Sequence, residues 1–292
     1  SAPRPDERLT CTFLNVGHGL AVIVELPDGR ALLYDAGRLG SPDQAARAVS
    51  GALWSQGRRR VHGAIVSHAD ADHFNALPSL FQKFAFDVVY LAPSFHRDDG
   101  GATRSLFEAL TAARVPTRPL VAEDGIALAH GVAIRVLQPP AEGVFGEDNA
   151  NSLVVAIEYA GRRILLTGDL EEAGLDRLLA MPPLACDVLL APHHGSTNTL
   201  VEPLAEWASP HYVVVSGDPA KTGTHTASRY RENGCRVLTT GEVGAVRATI
   251  TAGGLSLETF GPAGDLLDAD QPEPERESDP PASESRLAAA SD

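Results

Sequence analysis

The sequence predicts an α/β fold in which two mixed β-sheets pack together under a cover of helices. Three observations lead there. Apolar runs joined by short turn signals stand near both ends of the chain, as hairpins do. Between them, strand-like runs alternate with helical patterns. Several of those runs also stop at clusters of histidine and aspartate, the kind of polar loop that a rigid sheet carries at its edge.

Thr12 to Val16 and Leu20 to Leu26 read as strands. Pro27-Asp28-Gly29 is a turn signal, and Ala31 to Asp35 is a third strand. Ser41-Pro42-Asp43 opens a helix that continues to about Gln56. A strand over 61–66 leads into a polar loop and a helical segment ending near Phe84. Asp87 to Leu91 is the next strand, and residues 103–113 are helical. Within 119–147 only Val132 to Leu137 reads as a strand. Ser152 to Tyr159 and Arg162 to Thr167 flank Ala160-Gly161, which predicts a hairpin. A helix over 171–180, a strand over 186–191, a helix over 199–207 and a strand over 211–216 follow. Thr224 to Asn233 is helical, and strands near 235–239, 245–251 and 255–260 close the fold.

Residues 1–9 read as a linker, 10–263 as the folded domain and 264–292 as a disordered acidic tail. From Gly264 onward Pro, Glu, Asp, Ser and Ala dominate, and apolar side chains are too scarce to order the backbone. The formal charge is −14, of which nine acids and two arginines place −7 in residues 264–292. The rest has 29 acids against 22 Lys and Arg, again −7. Such a body is a poor non-specific nucleic-acid binder, unless several of the acids hold divalent cations.

No stretch approaches the ~18 uninterrupted apolar residues of a membrane span, and no signal-peptide pattern is present. Ser1 stands where a Met would open a chain, as in a processed protein or an excised fragment, so a membrane-bound parent stays open. Cys11, Cys186 and Cys235 lack the paired spacing of a thiolate zinc site or a disulfide framework and read as small buried residues.

The densest chemistry is Ser67-His68-Ala69-Asp70-Ala71-Asp72-His73, directly after the apolar run 61–66. In an extended segment side chains two apart point the same way, so His68 and Asp70 can face one cation. Asp72 and His73 are adjacent and need a turn or helix start to converge on a neighbouring site. A charged loop with a helix-capping aspartate is the plainer reading. Leu165-Leu166-Thr167-Gly168-Asp169 is a second strand ending in a carboxylate, placed to bridge two metals. Leu190-Ala191-Pro192-His193-His194-Gly195-Ser196 is a third, ending in paired imidazoles. One of that pair can bind metal while the other orients a substrate or moves a proton. His225, after Lys221-Thr222-Gly223-Thr224, is a weaker candidate. Two divalent ions about 3.5–4 Å apart could activate a water and stabilise a leaving oxygen.

In that order these segments resemble the metallo-β-lactamase superfamily, and more closely its branch in the ComEC/Rec2 DNA-uptake proteins. That branch shows Val-Gly-Gln-Gly-Asp, Asp-Ala-Gly, Ser-His-x-Asp-x-Asp-His, Asn-x-x-Ser-Leu-Val, Leu-x-Thr-Gly-Asp and His-His-Gly-Ser. The matching residues here are Val16 to Leu20, Asp35-Ala36-Gly37, Ser67 to His73, Asn149 to Val154, Leu166 to Asp169 and His193 to Ser196. The resemblance covers about residues 10–260. It implies a four-layer αββα sandwich with a binuclear site holding two divalent ions, Mn²⁺ or Zn²⁺. By position it implies His68 and Asp70 on one ion, Asp72, His73 and His193 on the other, and Asp169 bridging. His194 and His225 fall near the substrate, so Asp72, Asp169, His194 and His225 are the implied catalytic residues. Asp35 buttresses the metal loop. Asn151 and Ser152 fall where many members place a further histidine ligand.

The departures are His18 where Gln is usual, and Asn15 and Leu20 where Asp is common. His18 reads as a hydrogen-bonded turn histidine rather than an extra ligand. His62, His96, His130 and His211 match no motif and read as structural or exposed. Arg97, Arg104, Lys221 and Arg229 could meet phosphates, although solvated surface charge is the preferred reading.

The expected function is a metal-dependent phosphodiesterase or DNase domain of a ComEC/Rec2-like protein. DNA is then the substrate, a membrane enters only through a parent channel protein, and no stable protein partner is expected. A stand-alone hydrolase of a small ester or lactone is the second reading, because one fold hosts many reactions. A metal-depleted interaction domain is the third.

Overall fold

Alternating burial decides which faces of the strands meet. The computed structural model describes residues 7–97, 100–127, 131–217, 224–261 and 266–268. The first half runs β1 (Arg8–Phe13), β2 (Ala21–Glu25), β3 (Ala31–Ala36), α1 (Asp43–Ser55), β4 (Arg60–Val61), β5 (Gly63–Val66) and α2 (Ala71–Phe74). Then come α3 (Leu77–Phe81), β6 (Ala85–Phe86), β7 (Val89–Leu91), α4 (Gly101–Ala113), β8 (Thr117–Pro119) and β9 (Gly125–Ala127). The second half runs β10 (Ala133–Gln138), β11 (Val154–Tyr159), β12 (Arg162–Leu166), α5 (Glu172–Leu179), β13 (Val188–Leu190), α6 (Val201–Ala208) and β14 (Tyr212–Val215). It closes with α7 (Thr224–Glu232), β15 (Arg236–Thr239), α8 (Thr240–Val243), β16 (Val246–Thr251), β17 (Gly254–Thr259) and β18 (Leu266–Asp268).

One sheet has the order β18-β17-β16-β1-β2-β3-β5-β7-β8 and the other β15-β14-β13-β12-β11-β10-β9. Both are mixed: β3, β5, β7 and β8 run parallel, as do β12 to β15, while the remaining pairs are antiparallel. Between the sheets lies one apolar layer in which Leu9, Cys11 and Phe13 meet Val155, Ile157, Ile164 and Leu166. The opposite faces are also buried. Ile23, Leu33 and Val66 pack against Val49 and Leu53 of α1 and Leu106 and Leu110 of α4. Leu165, Leu189 and Val213 pack against Leu175 of α5, Leu204 of α6 and Tyr230 of α7. Strands buried on both faces read as continuous apolar runs, which is how these central strands look in sequence. The layers are thus helix, sheet, sheet, helix. All three cysteines are buried and free.

Several elements differ from expectation. The first strand spans 8–13 rather than 12–16: Leu14 still donates its N–H to the Ala21 carbonyl, but the chain then turns through Gly17 and Gly19. The run 61–66 is broken at His62: β4 pairs with β6 in a separate two-stranded sheet, and only β5 joins the large one. The helical segment predicted to Phe84 is two short helices, the second starting with Pro78 in its first turn. The predicted tail begins at 264, yet Leu266–Asp268 pairs with β17. Residues 1–6 and 269–292 lie outside the described residues. Among the described residues no helix is long and apolar enough to cross a membrane.

Candidate metal centre

The polar loops follow parallel strands, so they gather at one edge of the sandwich. β3 and β5 deliver Asp35 and the Ser67–His73 loop from one sheet. β12, β13 and β14 deliver Asp169, His193-His194 and Ser216 from the other. The two edges are laced together. The Tyr34 hydroxyl donates to the Leu153 carbonyl at 2.7 Å, and the Leu153 N–H donates to the Ser67 carbonyl at 2.8 Å. Gly37 has a local reason: a Cβ there would lie 2.5 Å from the Asp72 carbonyl carbon, so only glycine lets the metal loop pass this close.

Asp35 is the anchor. It is 1% exposed and accepts the Ser67 N–H at 2.7 Å, the Ser67 hydroxyl at 2.7 Å and the His73 Nδ1–H at 2.8 Å. Ser67 spends its proton on Asp35, so its oxygen accepts from His68 Nδ1 at 2.9 Å. The Ser216 carbonyl accepts from His194 Nδ1 at 3.0 Å. The Ser216 carbonyl and the Asp35 carboxylate only accept, and the Ser67 hydroxyl already donates to Asp35, so each of these three rings places a proton on Nδ1. Each therefore turns an Nε2 lone pair inward, the arrangement that metal-bound histidines use.

Those Nε2 atoms of His68, His73 and His194 are buried and make no hydrogen bond. They face carboxylates instead. His73 Nε2 lies 3.2 Å from Asp169 Oδ2 without hydrogen-bond alignment, and His194 Nε2 lies 3.6 Å from Asp169 and 3.7 Å from Asp72. A charge-assisted hydrogen bond closes to about 2.7–2.9 Å. Two ligands each ~2.05 Å from one tetrahedral ion stand about 3.3 Å apart. The observed spacings fit donors awaiting a shared cation better than ion pairs. They resolve into two groups, His68, His73 and Asp169 in one and His18, Asp72 and His194 in the other, each with donor atoms within 4.8 Å of one another. Asp169 is near both.

Without a cation, protons take up the charge. Burial opposes charging His73, but Asp169 and Asp35 outweigh it and raise the imidazolium well above the histidine range. Burial would raise Asp169, yet His73 and His194 hold it well below the carboxylate range. Burial would raise Asp72 too, and His194 and His73 bring it down to about 2. The main-chain geometry is strained here as well. Asp35, His193 and His194 have φ of 56°, 46° and 51°. Such left-handed residues cost on the order of 1–3 kcal/mol each and cluster at functional sites.

The structure regroups some predicted residues. The resemblance implies His193 beside Asp72, with His194 toward the substrate; in the structure His194 sits beside Asp72. His193 turns to Glu171, 2.6 Å from its Nδ1, and its Nε2 stays 3.8 Å from Asp169. Asp70 places Oδ2 3.5 Å from His68 Nε2 with its side chain 55% exposed. Asp70 sits at the start of α2 without a capping hydrogen bond, which removes the plain helix-cap reading. His225 is exposed in the first turn of α7 and joins neither group. Asn151 faces away: it clasps the Val144 N–H at 2.7 Å and the Val144 carbonyl at 3.0 Å. Ser152 accepts the Asp169 N–H at 3.3 Å. Arg229 is paired with Glu202, Arg104 stands on α4, and Lys221 and the Arg97 side chain lie outside the described residues. His62 accepts the Ala31 N–H at 3.3 Å and His211 is mostly exposed, while His130 and the His96 side chain lie outside the described residues.

Sequence reasoning gave no role to Ser67, Glu171 or Ser216. Ser67 stands inside the richest motif and Glu171 two residues past Asp169, so both had a positional signal. Ser216 holds His194 through its backbone carbonyl, a role with no side-chain signal. His18, expected to be a hydrogen-bonded turn residue, instead faces the site.

Comparison with known proteins bears on the family and the fold. The family model for the Metallo-beta-lactamase superfamily matches residues 14–217. Competence protein ComA of Neisseria gonorrhoeae is 27% identical over 260 residues, 87% of this chain and 34% of that protein. ComE operon protein 3 of Bacillus subtilis (strain 168) is 23% identical over 263 residues, 80% of this chain and 32% of that protein. Recombination protein 2 of Haemophilus influenzae is 29% identical over 206 residues, 70% of this chain and 23% of that protein. The chain thus spans about a third or less of the curated relatives it matches. Among solved structures, the metallo-beta-lactamase fold protein YhfI from Bacillus subtilis superposes with a TM-score of 0.52 at 11% identity, over 79% of this chain and 96% of that one.

Proposed function

The chain belongs to the metallo-β-lactamase superfamily, and on that premise we propose that it is a metal-dependent phosphodiesterase that cuts DNA, working as one segment of a longer DNA-uptake protein. The coarser statement, a metal-dependent hydrolase, follows from the family and its ligand groups. The observation that carries the metal centre is the set of three buried, unbonded Nε2 atoms, those of His68 and His73 grouped with Asp169 and that of His194 3.7 Å from Asp72; the DNA substrate rests first on the relatives. That donor set also argues against a metal-depleted interaction domain, since burying it without a cation is costly.

When bound, two divalent ions would supply an activated water and neutralise charge on the leaving oxygen. His68, His73 and Asp169, with Asp70 at the rim, would hold one; Asp72 and His194 would hold the other, and Asp169 would reach both. Asp35 keeps His73 in the ligating tautomer. Glu171 raises the His193 imidazolium against the pull of burial. His193, half-buried beside Glu171, would serve to return a proton to the leaving oxygen of an anionic diester. Carboxylates among the ligands favour a harder ion such as Mn²⁺ more than an all-histidine set would, while the imidazoles also suit Zn²⁺.

Two features support DNA as the substrate. Relatives of this chain are named as competence and recombination proteins. Phe145 is 96% exposed on the loop leading to Asn149, whose amide lies 3.5 Å from His193, so an aromatic face is available for base stacking. The net charge of −14 favours keeping a small ester or lactone as a second reading. The test is DNA cleavage with Mn²⁺, Zn²⁺ and Mg²⁺, beside Asp72→Ala and Asp169→Ala controls. Cleavage by the wild type alone supports the proposal. Equal rates in the controls identify a contaminating nuclease, and turnover of small esters with intact DNA selects the second reading.

A further inference from the structure

We propose that His18 is a ligand of the ion held by Asp72 and His194. The proposal rests on the two-metal reading above and assigns one more residue to that site.

The first support is placement. His18 Nε2 lies 3.9 Å from Asp72 Oδ2, and the His18 ring centroid lies 4.7 Å from that of His194. One donor atom from each of these three residues falls within 4.8 Å of the others. The second support is the absence of any other use for the ring. Its Nδ1 is buried without a hydrogen-bond partner. A histidine that merely braces a turn looks different in this protein: His62 accepts the Ala31 N–H at 3.3 Å. The two tilted imidazoles leave His18 Nδ1 and His194 Nε2 buried without the hydrogen bonds that water would supply, and a shared cation would occupy one nitrogen of each ring.

The third support is how firmly the ring is presented. The Leu39 N–H donates to the His18 carbonyl at 2.7 Å, and the Leu20 N–H donates to the Asp72 carbonyl at 3.3 Å. The Ser216 hydroxyl donates to the Gly19 carbonyl at 2.8 Å, while the Ser216 carbonyl accepts from His194 Nδ1 at 3.0 Å. One residue therefore fixes both the His18 turn and the His194 ring. Ligand sites need this kind of outer support.

The chemical consequence is a change of ion preference. A site with two imidazoles and a carboxylate is softer than one with a single imidazole, a carboxamide and a carboxylate, and it leans toward Zn²⁺. The experiment measures bound metal after dialysis, with Co²⁺ absorption as an optical reporter, in wild type, His18→Ala, His18→Gln and Asp72→Ala. Thermal melts check folding, and the Gln variant keeps a polar side chain of similar reach should alanine disturb the turn. Two ions are expected in the wild type. Both His18 variants should hold the second ion at least about 100-fold more weakly, since loss of a ligand exceeds the outer-support penalty. The Gln variant should also shift preference from Zn²⁺ toward Mn²⁺. A wild type that takes up two ions, with His18→Ala and His18→Gln holding both as tightly, overturns the role of His18 alone. A folded wild type that takes up no ion overturns the two-metal reading, and this proposal with it.

Discussion

Replacing Asp35 tests the site from underneath, because Asp35 touches no substrate and yet sets the chemistry of His73. In Asp35→Ala, three hydrogen bonds of 2.7, 2.7 and 2.8 Å disappear at a fully buried carboxylate. Removing one partner of a buried ion pair costs about 3–5 kcal/mol. At 2–4 °C per kcal/mol for a domain somewhat smaller than this one, the melting temperature should fall by roughly 6–20 °C. Asp35→Asn is the sharper variant. Its carbonyl can still accept the Ser67 N–H, but its NH₂ then faces His73 Nδ1. An NH₂ donates, so the His73 proton moves to Nε2 and removes the lone pair aimed at Asp169. Affinity for the ion at His68 and His73 should drop 10–100-fold, the usual penalty for losing an outer partner. Calorimetric metal titration reads the affinity, and melts in chelator read the stability separately. An Asn variant that binds metal as tightly as the wild type would refute the tautomer argument, whatever its stability.

Gly168→Ala should destabilise by about 1–3 kcal/mol, the usual cost of overpacking, because φ is +55° and the new Cβ meets Ser67 Cβ at 2.7 Å; urea unfolding measures it, and metal affinity should fall with it. Asn151→Ala should cost about 1–3 kcal/mol through the unpaired Val144 groups while metal content stays unchanged, and loss of an ion would make Asn151 a ligand after all. Metal-free protein should show a pH profile set by His73 and Asp169. The raised His73 contributes stability that is full below about 6.5 and is lost as pH rises through its folded value, and the lowered Asp169 contributes stability lost as pH falls from about 3.9. Melts in chelator should therefore decline toward pH 9, whereas metal uptake, which displaces the His73 proton, should tighten over the same range; a chelated protein that gains stability with pH contradicts the ion-pair account.

What the sequence made legible follows from where its signals are local. The apolar runs of β5, β12 and β13 and the polar loops after them are contiguous, so both strand and ligand loop can be read. Two-residue strands such as Arg60–Val61 and Ala85–Phe86 have no period to detect, and the edge strand Gly125–Ala127 exists only through its partner. The grouping of ligands was hidden for a different reason. The choice between His193 and His194 depends on two consecutive left-handed residues and on a carbonyl at Ser216, which any side chain at that position would supply. A histidine between two glycines reads as turn chemistry, and only the packed structure brings His18 to 3.9 Å from Asp72.

The two sheets also explain why the site tolerates so much buried charge. Each half of the chain runs an antiparallel pair into a parallel strand, with an aspartate at the end of the first parallel strand and an imidazole after the next. Asp35 and His68 are the pair from β3 and β5; Asp169 and His194 are the pair from β12 and β13. The two carboxylates then diverge. Asp35, held at φ 56°, points back into its own sheet and hydrogen-bonds Ser67 and His73. Asp169 points across the junction, 3.2 Å from His73 and 3.6 Å from His194. One aspartate therefore fixes a proton outward while its counterpart presents negative charge inward. Neither role works alone: without Asp35 the His73 Nε2 would not be directed at Asp169, and without Asp169 the two donor groups would share no carboxylate. The centre is thus a property of the junction between the halves, and substitutions on either sheet edge should weaken ligands delivered by the other.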